Sequence, residues 1–177
     1  IEVSGFPEVL TANISANQVE LTLPGSFFSS IEEDNFHTEK IKIVNLMGIK
    51  FIIRNSEKSL EEAQKLIEKY QEDFPAVGVL YVGTSPTRPT PILIDPSVWV
   101  RETNTCYNET ACGSGSIAAA IAAHLENPQQ SIFEVVQPSK ESFKIEIETQ
   151  NGKISTIKFT GQVKNLGEKE FTIEDNL

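Results

Sequence analysis

The run at residues 117–123 constrains the fold more than any other stretch of this chain. It consists only of isoleucine and alanine, and alanine is the strongest helix former. A helix that is apolar all round is a buried helix, and its alanines let neighbouring strands approach closely. The sequence therefore predicts a helix over about residues 115–125 that is ended by Asn127-Pro128 and enclosed by a sheet.

A cysteine precedes this helix in the segment Cys112-Gly113-Ser114-Gly115-Ser116. The first N–H groups of a helix have no internal partner and, together with the helix dipole, attract anions. We expect the thiol of Cys112 to have a lowered pKa there, and the glycines to let a ligand approach the backbone. A capped turn and a small buried cysteine are the structural alternatives for the same pattern.

The charge balance narrows the choice of partners. The chain has 25 acidic and 15 basic residues and a net charge of -10, so neither nucleic acid nor an anionic membrane surface is an expected partner. No apolar run reaches the length of a membrane span, and no signal peptide is visible. Two cysteines do not make a disulfide framework, and a working thiol suits the reducing cytoplasm. Because the sequence begins at Ile1, we expect a piece of a longer protein.

Hydrophobic periodicity predicts strands over most of the chain and one further helix. Ser59 and Glu62 fit a capping box for a helix that runs to about Glu72 and lies outside the sheet. Residues 26–38 and 104–108 are expected to be loops. The expected fold is α+β, a curved, mostly antiparallel sheet wrapped round the central helix. Strands are expected at residues 8–15, 18–23, 40–45, 49–54, 76–82, 92–94, 98–102, 132–137, 143–148, 154–159 and 170–173.

The stretch from Glu109 through Cys112-Gly113-Ser114-Gly115 resembles the second active-site motif of the diaminopimelate epimerase superfamily, a group of amino-acid racemases and epimerases. The spacing of Glu102, Glu109 and Cys112 looks most like that of histidine racemases, including the staphylopine-pathway type. The resemblance runs from about Val3-Ser4-Gly5 to the C-terminus and so covers nearly the whole chain, but only one half of a family member. It implies that residues 1–177 form the C-terminal domain of a two-domain racemase, whose last strand can contribute to the missing N-terminal domain.

The resemblance also implies a mechanism and a set of site residues. Such enzymes use two cysteines, one from each half, on opposite sides of an amino-acid substrate, and they use no cofactor. Cys112 matches the second-half cysteine, so its partner thiol is expected in a missing half on the same polypeptide or on a second chain, and a homodimer is compatible with this. Gly113, Ser114 and Gly115 match residues that bind the α-carboxylate, and Glu102 matches one that binds the amino group.

Two nearby residues have no assigned role at this point. Glu109 is either part of the site or a brace for its loop. Cys106 lies six residues before Cys112, and we expect it to be a neighbour or a packing residue, since it would struggle to reach the opposite face of a substrate.

Departures from the diaminopimelate epimerase pattern indicate a different substrate. Thr103 stands where those enzymes have an arginine, Gly78 where they have an asparagine, and Gly48-Ile49-Lys50 where they have Asn-Pro-His. A bidentate arginine contact is not replaced by threonine. We therefore expect Thr103 and Gly78 to lie in a pocket for histidine or another cationic or aromatic amino acid. Diaminopimelate or another substrate of the superfamily is the alternative.

Other function classes need groups that the sequence hardly offers. A cysteine hydrolase or transferase needs a histidine base, and only His37 and His124 are available. We expect His37 to be an incidental loop residue and His124 to satisfy carbonyls at a helix end. No metal-ligand cluster is apparent. A non-catalytic amino-acid-binding module remains an alternative.

Overall fold

The structure is a computed structural model that describes residues 9–84, 90–164 and 167. The predicted strand at 170–173 lies outside these residues, as does the centre of the proline-rich loop at 84–91. None of the described helices has the length and apolarity needed to cross a membrane.

The elements are β1 (Thr11–Ser15), β2 (Gln18–Pro24), β3 (Phe28–Phe36), β4 (Glu39–Leu46), β5 (Ile49–Arg54), α1 (Leu60–Tyr70), β6 (Ala76–Thr84), β7 (Ile92–Val100), β8 (Thr105–Asn108), α2 (Gly113–Glu126), β9 (Ile132–Val136), β10 (Ser142–Gln150) and β11 (Lys153–Gln162).

The described strands form one sheet in the order β1-β2-β11-β10-β9-β7-β6-β5-β4-β3, and β8 also pairs with β7. The β5–β6 and β7–β9 pairs are parallel, and the others are antiparallel. Helix α2 packs against strands from β4 to β11 across this order, so the sheet curves round it. The predicted α+β fold with a central helix is confirmed.

Helix α2 forms the centre of the inner core. It starts two residues earlier and ends one residue later than predicted, and Gly115 to Ala122 are all buried. Its small side chains pack against Val44, Leu80, Val98 and Ile145 from the surrounding strands. The backbone N–H of Asn127 bonds to the carbonyl of Ala123 and ends the helix. The absence of a polar side on this helix thus determines its place inside the sheet.

Helix α1 covers the outer face of the sheet, as predicted. Its buried residues Ala63, Leu66 and Ile67 meet a second apolar cluster on β4, β5 and β6. Ser59 Oγ accepts the N–H of Glu62 at 3.3 Å, which is one half of a capping box. The Glu62 carboxylate binds Arg54 Nη1 at 2.6 Å, so it ties the helix start to β5.

The predicted loop at residues 26–38 is wrong, because most of it forms β3, an edge strand paired with β4. Ile31 packs against the inner core, while Asp34 accepts a hydrogen bond from Lys69 Nζ at 2.7 Å. Its neighbour Glu33 pairs with Lys40 at 2.6 Å. Charged side chains on an edge strand oppose pairing with another chain, and here they leave Phe28, Ile31 and Phe36 as apolar residues at irregular spacing.

The predicted division at residues 92–102 is also wrong, because β7 is one strand that runs through Pro96. Pro96 lies between the part of β7 paired with β9 and the part paired with β8, so no ladder bond requires its missing N–H. Its carbonyl accepts the N–H of Glu109 at 3.1 Å. The predicted polar loop at residues 104–108 is largely strand β8, antiparallel to β7.

Candidate active site

A cleft of about 640 Å³ opens at the N-terminal end of α2, and we call it the α2 cleft. Its polar lining residues are Glu102 and Ser114, with Gly113 at the start of the helix. The remaining wall is apolar and includes Leu10, Leu21, Leu23, Phe27, Ile49 and Phe159. The site can therefore hold a small molecule that has a polar end near the helix and an apolar part against the strands.

Cys112 is the N-cap of α2, with extended backbone angles of φ -135° and ψ 104°. Its Sγ accepts the backbone N–H of Gly115 at 3.3 Å, and Ser114 Oγ lies 3.8 Å from the sulfur. Its carbonyl accepts the N–H of Ser116 at 3.0 Å. In the described residues, no protein acceptor takes the N–H groups of Gly113 and Ser114, which begin the helix at the cleft. They are the open donors that the sequence led us to expect.

The expectation of a lowered thiol pKa is wrong. Burial, a hydrogen bond to Glu109 and the charge of its carboxylate together raise the pKa of Cys112 to about 12, with burial the largest cause. The hydrogen bonds from Gly115 N–H and Ser114 act in the opposite direction and are outweighed. Burial away from water destabilises the thiolate more than the hydrogen bonds and dipole of the helix terminus stabilise it. In this structure Cys112 is a protonated acid at neutral pH.

The sulfur lies directly behind the cleft wall. Cys112 is 4% exposed, and its two following residues, Gly113 and Ser114, line the cleft. The Glu109 carboxylate is near enough to the thiol to raise its pKa, and the backbone of Glu109 is fixed to β7 through Pro96. The thiol, one carboxylate and two open N–H groups therefore converge at the same end of α2.

The structure brings some of the predicted substrate-binding residues to this cleft and not others. Glu102 lines the cleft together with Gly113 and Ser114. The N–H of Gly115 is occupied by the sulfur of Cys112. Thr103 is exposed, with its hydroxyl 2.6 Å from that of Thr105, and does not line the cleft. Gly78 lies beneath the ring of Phe51, whose Cε1 is 2.2 Å from where a Cβ would stand.

Cys106 faces the other side of the sheet from Cys112. It is an exposed residue of β8 that lines a groove with Leu60, Ala63 and Ile67 of α1. Burial of part of its surface raises the pKa of its thiol. Because the sheet separates the two sulfurs, Cys106 does not line the α2 cleft, and it is neither the neighbour nor the packing residue expected from the sequence.

Neither histidine is near the thiol. His124 is buried near the C-terminal end of α2, about 18 Å along the helix from Cys112 at the usual rise per residue. Its Nδ1 lies 2.7 Å from the carbonyl oxygen of Gln130, so it serves the chain after the helix. His37 is in the turn between β3 and β4, against the ring of Phe36. No histidine base is available to Cys112.

Gln137, a buried residue just after β9, was not predicted as a site residue. Its Oε1 accepts the N–H of Cys112 at 2.9 Å, and its Nε2 donates to Ser116 Oγ at 2.9 Å. A polar residue that follows the apolar strand Ile132–Val136 was the only available signal. Within the described residues, no group of three or more His, Cys, Asp or Glu side chains could hold a metal ion.

Comparison with known proteins identifies a family and a fold. Residues 1–168 match the family model described as the histidine racemase CntK N-terminal domain. No curated protein matches the sequence. The matching model is described as an N-terminal domain, whereas the motif resemblance predicts a C-terminal half; which half this chain forms stays a prediction.

Two solved structures share the fold. One is a probable proline racemase from Agrobacterium radiobacter K84 with bound carbonate, at 14% identity and a TM-score of 0.57, covering 94% of this chain and 58% of that one. The other is a hydroxyproline epimerase from Agrobacterium vitis with bound trans-4-hydroxy-L-proline, at 16% identity and a TM-score of 0.54. The match covers 86% of this chain and 52% of the epimerase chain. The chain spans a little over half the length of these proteins.

Proposed function

Since the chain belongs to the family described as the histidine racemase CntK N-terminal domain, we propose that it is one half of an amino-acid racemase with Cys112 as an acid/base group. The observation that carries this proposal is the convergence of the Cys112 thiol, Glu109 and the open N–H groups of α2 behind one small cleft. A carboxylate bound at that helix terminus would place a substrate's α-carbon near the sulfur.

The polar groups that line the cleft fit the two charged groups of an amino acid. The N–H groups of Gly113 and Ser114 bind the α-carboxylate, and they stabilise the negative charge that builds on it as the α-proton leaves. Glu102 is the charged side chain that lines the cleft, and it binds the α-ammonium group. Gly115 supports the thiol with its N–H and leaves the space that the sulfur occupies.

Proton transfer then needs two groups on opposite faces of the α-carbon. A thiolate from the other half removes the α-proton and becomes a thiol, while Cys112 donates its own proton to the opposite face and becomes a thiolate. In the reverse direction the thiolate of Cys112 is the base. The raised pKa of Cys112 makes it the proton donor in the resting site, and substrate binding excludes water from the same space.

The second thiol comes from a part that these residues do not supply. Cys106 lies across the sheet, so the other half, on the same polypeptide or on a second chain, must carry the partner cysteine. The proposed reaction uses no cofactor, because the two thiols and the helix N–H groups provide the acid, the base and the charge stabilisation. A free working thiol fits the reducing cytoplasm.

The proposed substrate is histidine or another cationic or aromatic amino acid. The family description and the apolar wall with a single carboxylate support it. Thr103 and Gly78 have no part in this proposal, because neither lines the cleft. A diaminopimelate side chain would place a second carboxylate and ammonium group against leucine, isoleucine and phenylalanine side chains, at the cost of desolvating both charges.

The test is conversion of L-histidine to its D-enantiomer by the complete two-half protein, followed by chiral chromatography without added cofactor. We expect conversion by the wild type and by Cys106→Ser, and its loss in Cys112→Ser. The two serine variants are a matched pair, because the same change is made on opposite faces of the sheet. Calorimetric binding without conversion of any amino acid by the wild type would favour the binding-module alternative.

A further inference from the structure

Gln137 is a buried amide that holds both sides of the Cys112 backbone. It is 2% exposed; its Oε1 accepts the N–H of Cys112 and its Nε2 donates to Ser116 Oγ, both at 2.9 Å. Ser116 Oγ in turn donates to the carbonyl oxygen of Cys112 at 2.7 Å. One side chain therefore fixes the N–H of the N-cap directly and its carbonyl through one hydroxyl.

The turn after β9 that carries Gln137 is itself firmly attached. The N–H of Gln137 bonds to the Glu141 carbonyl and its carbonyl accepts the N–H of Lys140, each at 2.9 Å. Its Nε2 also donates to the Val135 carbonyl at 3.2 Å. Ser139 N–H binds the Thr110 carbonyl at 3.0 Å, two residues before the thiol. A buried network with all its members paired is rigid, so the turn can set the position of the loop.

The position of the sulfur depends on the backbone angles of Cys112. Sγ meets the N–H of Gly115 because Cys112 is extended while the next residue enters the helix. An acid that hands a proton to a substrate carbon must be aligned, and a misplacement of about 1 Å can cost roughly 100-fold in rate. Gln137 does not line the α2 cleft, so it has no contact with a ligand there.

We infer that Gln137 is a positioning residue for proton transfer by Cys112, an inference that rests on the proposed racemase function. It acts through the backbone: the amide holds the N-cap, the N-cap holds the sulfur, and the sulfur faces the substrate carbon. The packing of β9 against the core uses the side chains of Phe133 and Val135, and only the backbone carbonyl of Val135 belongs to this network.

The test uses Gln137→Met and Gln137→Glu in the complete two-half protein. Methionine keeps the length of the side chain without its hydrogen bonds, while glutamate keeps an oxygen for the Cys112 N–H and adds a charge. For each variant, kcat and KM for L-histidine racemisation are measured against pH. The rate of Cys112 alkylation by iodoacetamide without substrate is followed over the same pH range by mass spectrometry.

We expect Gln137→Met to lower kcat by about 10-fold or more with little change in KM. The pH at which Cys112 alkylation reaches half its maximal rate, which we call the alkylation midpoint, should fall in Gln137→Met by at least about half a pH unit, because a loosened N-cap admits water to the thiol. Gln137→Glu should shift the midpoint the other way, because a buried carboxylate near the sulfur opposes the thiolate. Opposite shifts from two variants of one residue are not expected from loss of stability alone.

The matched control is Leu66→Ala, which opens a cavity under α1 on the other face of the sheet. It should lower the melting temperature at least as much and leave kcat per folded molecule and the alkylation midpoint unchanged. If Gln137→Met does not fold, Ser116→Ala removes only the hydroxyl link and should shift the midpoint in the same direction by less.

The inference would be overturned if the folded Gln137 variants have the wild-type kcat and an unshifted alkylation profile. If Gln137→Met does not fold, an unshifted alkylation profile in Ser116→Ala would overturn it. A wild-type protein that racemises no amino acid would instead reject the proposed function. In that case the alkylation shifts still decide whether Gln137 positions the thiol, so the two failures are distinguishable.

Discussion

The sulfur of Cys112 occupies the space that a side chain at Gly115 would need. A Cβ at Gly115 would stand 3.0 Å from that sulfur and 2.9 Å from Cδ2 of Leu80, in the inner core. The N–H of the same glycine donates to the sulfur at 3.3 Å. Gly115 thus provides the space beside the thiol and one of its hydrogen-bond donors.

Replacing Gly115 by alanine should therefore displace the sulfur. We expect Gly115→Ala to slow racemisation by the complete protein by roughly 10- to 100-fold, since the thiol loses its alignment. Crowding of Leu80 should also cost about 1–3 kcal/mol of unfolding free energy. Chiral chromatography and denaturant titration measure the two effects.

Gly83→Ala is the matched control, because a Cβ there meets nothing closer than Leu93 Cβ at 3.9 Å. It should leave both the rate and the unfolding free energy near wild type. Equal effects of the two alanine variants would contradict the account of Gly115.

The carboxylate of Glu109 should tune the Cys112 thiol. Both its hydrogen bond and its charge raise the pKa of Cys112, so Glu109→Gln should lower that pKa and speed alkylation of Cys112 at a fixed pH near 9. Iodoacetamide labelling followed by mass spectrometry distinguishes Cys112 from Cys106. The control is Glu134→Gln, on β9 away from the thiol, which should leave the labelling rate unchanged. Slower labelling of Cys112 in Glu109→Gln would contradict the assignment that Glu109 raises the thiol pKa.

The buried thiol should make the protein less stable in alkali. The pKa of Cys112 is raised from 9.0 to about 12 on folding, so above pH 9 the unfolded chain loses this proton while the folded chain keeps it. Unfolding is then favoured as pH rises, by about 1.4 kcal/mol at pH 10 from this group alone. Urea titrations at pH 8 and pH 10 should show a smaller loss of stability in Cys112→Ala than in wild type. An identical loss in both would contradict the burial of the thiol.

Gly78 should prove to be a packing residue. A Cβ at this position would collide with the ring of Phe51, so Gly78→Ala should cost about 1–3 kcal/mol of unfolding free energy. Phe51→Leu should cost less in the Gly78→Ala background than alone, because the smaller side chain leaves room for the methyl group. Additive costs in this double-mutant cycle, or a changed KM without a change in stability, would return Gly78 to the substrate pocket.

Strong local patterns were sufficient to predict much of the fold. The apolar run of α2 could only be buried, and Asn151-Gly152 could only be a tight hairpin, as their φ values of 53° and 73° show. Strand β3 was missed because its few apolar residues do not alternate with polar ones. Strand β7 was predicted as two strands on either side of Asp95-Pro96-Ser97, although proline is tolerated where one side of a strand carries no ladder.

Only part of the candidate site followed from the sequence. Glu102, Gly113 and Ser114, which were named from the motif resemblance, line the α2 cleft, whereas Thr103 and Gly78 do not. The direction of the Cys112 pKa shift was not predicted correctly, because burial depends on strands distant in sequence. The role of Gln137, 25 residues after the cysteine, arises from the curvature of the sheet that brings the end of β9 to the helix.

The most direct measurement of the central claim is deuterium incorporation at the α-carbon of L-histidine by the complete two-half protein in heavy water, followed by NMR. If Cys112 is one of two acid/base thiols, the α-proton is replaced by deuterium in the wild type and in Cys106→Ser, and the exchange rate in Cys112→Ser falls by at least about 100-fold. Undiminished exchange in Cys112→Ser would remove this thiol from the reaction and contradict the account.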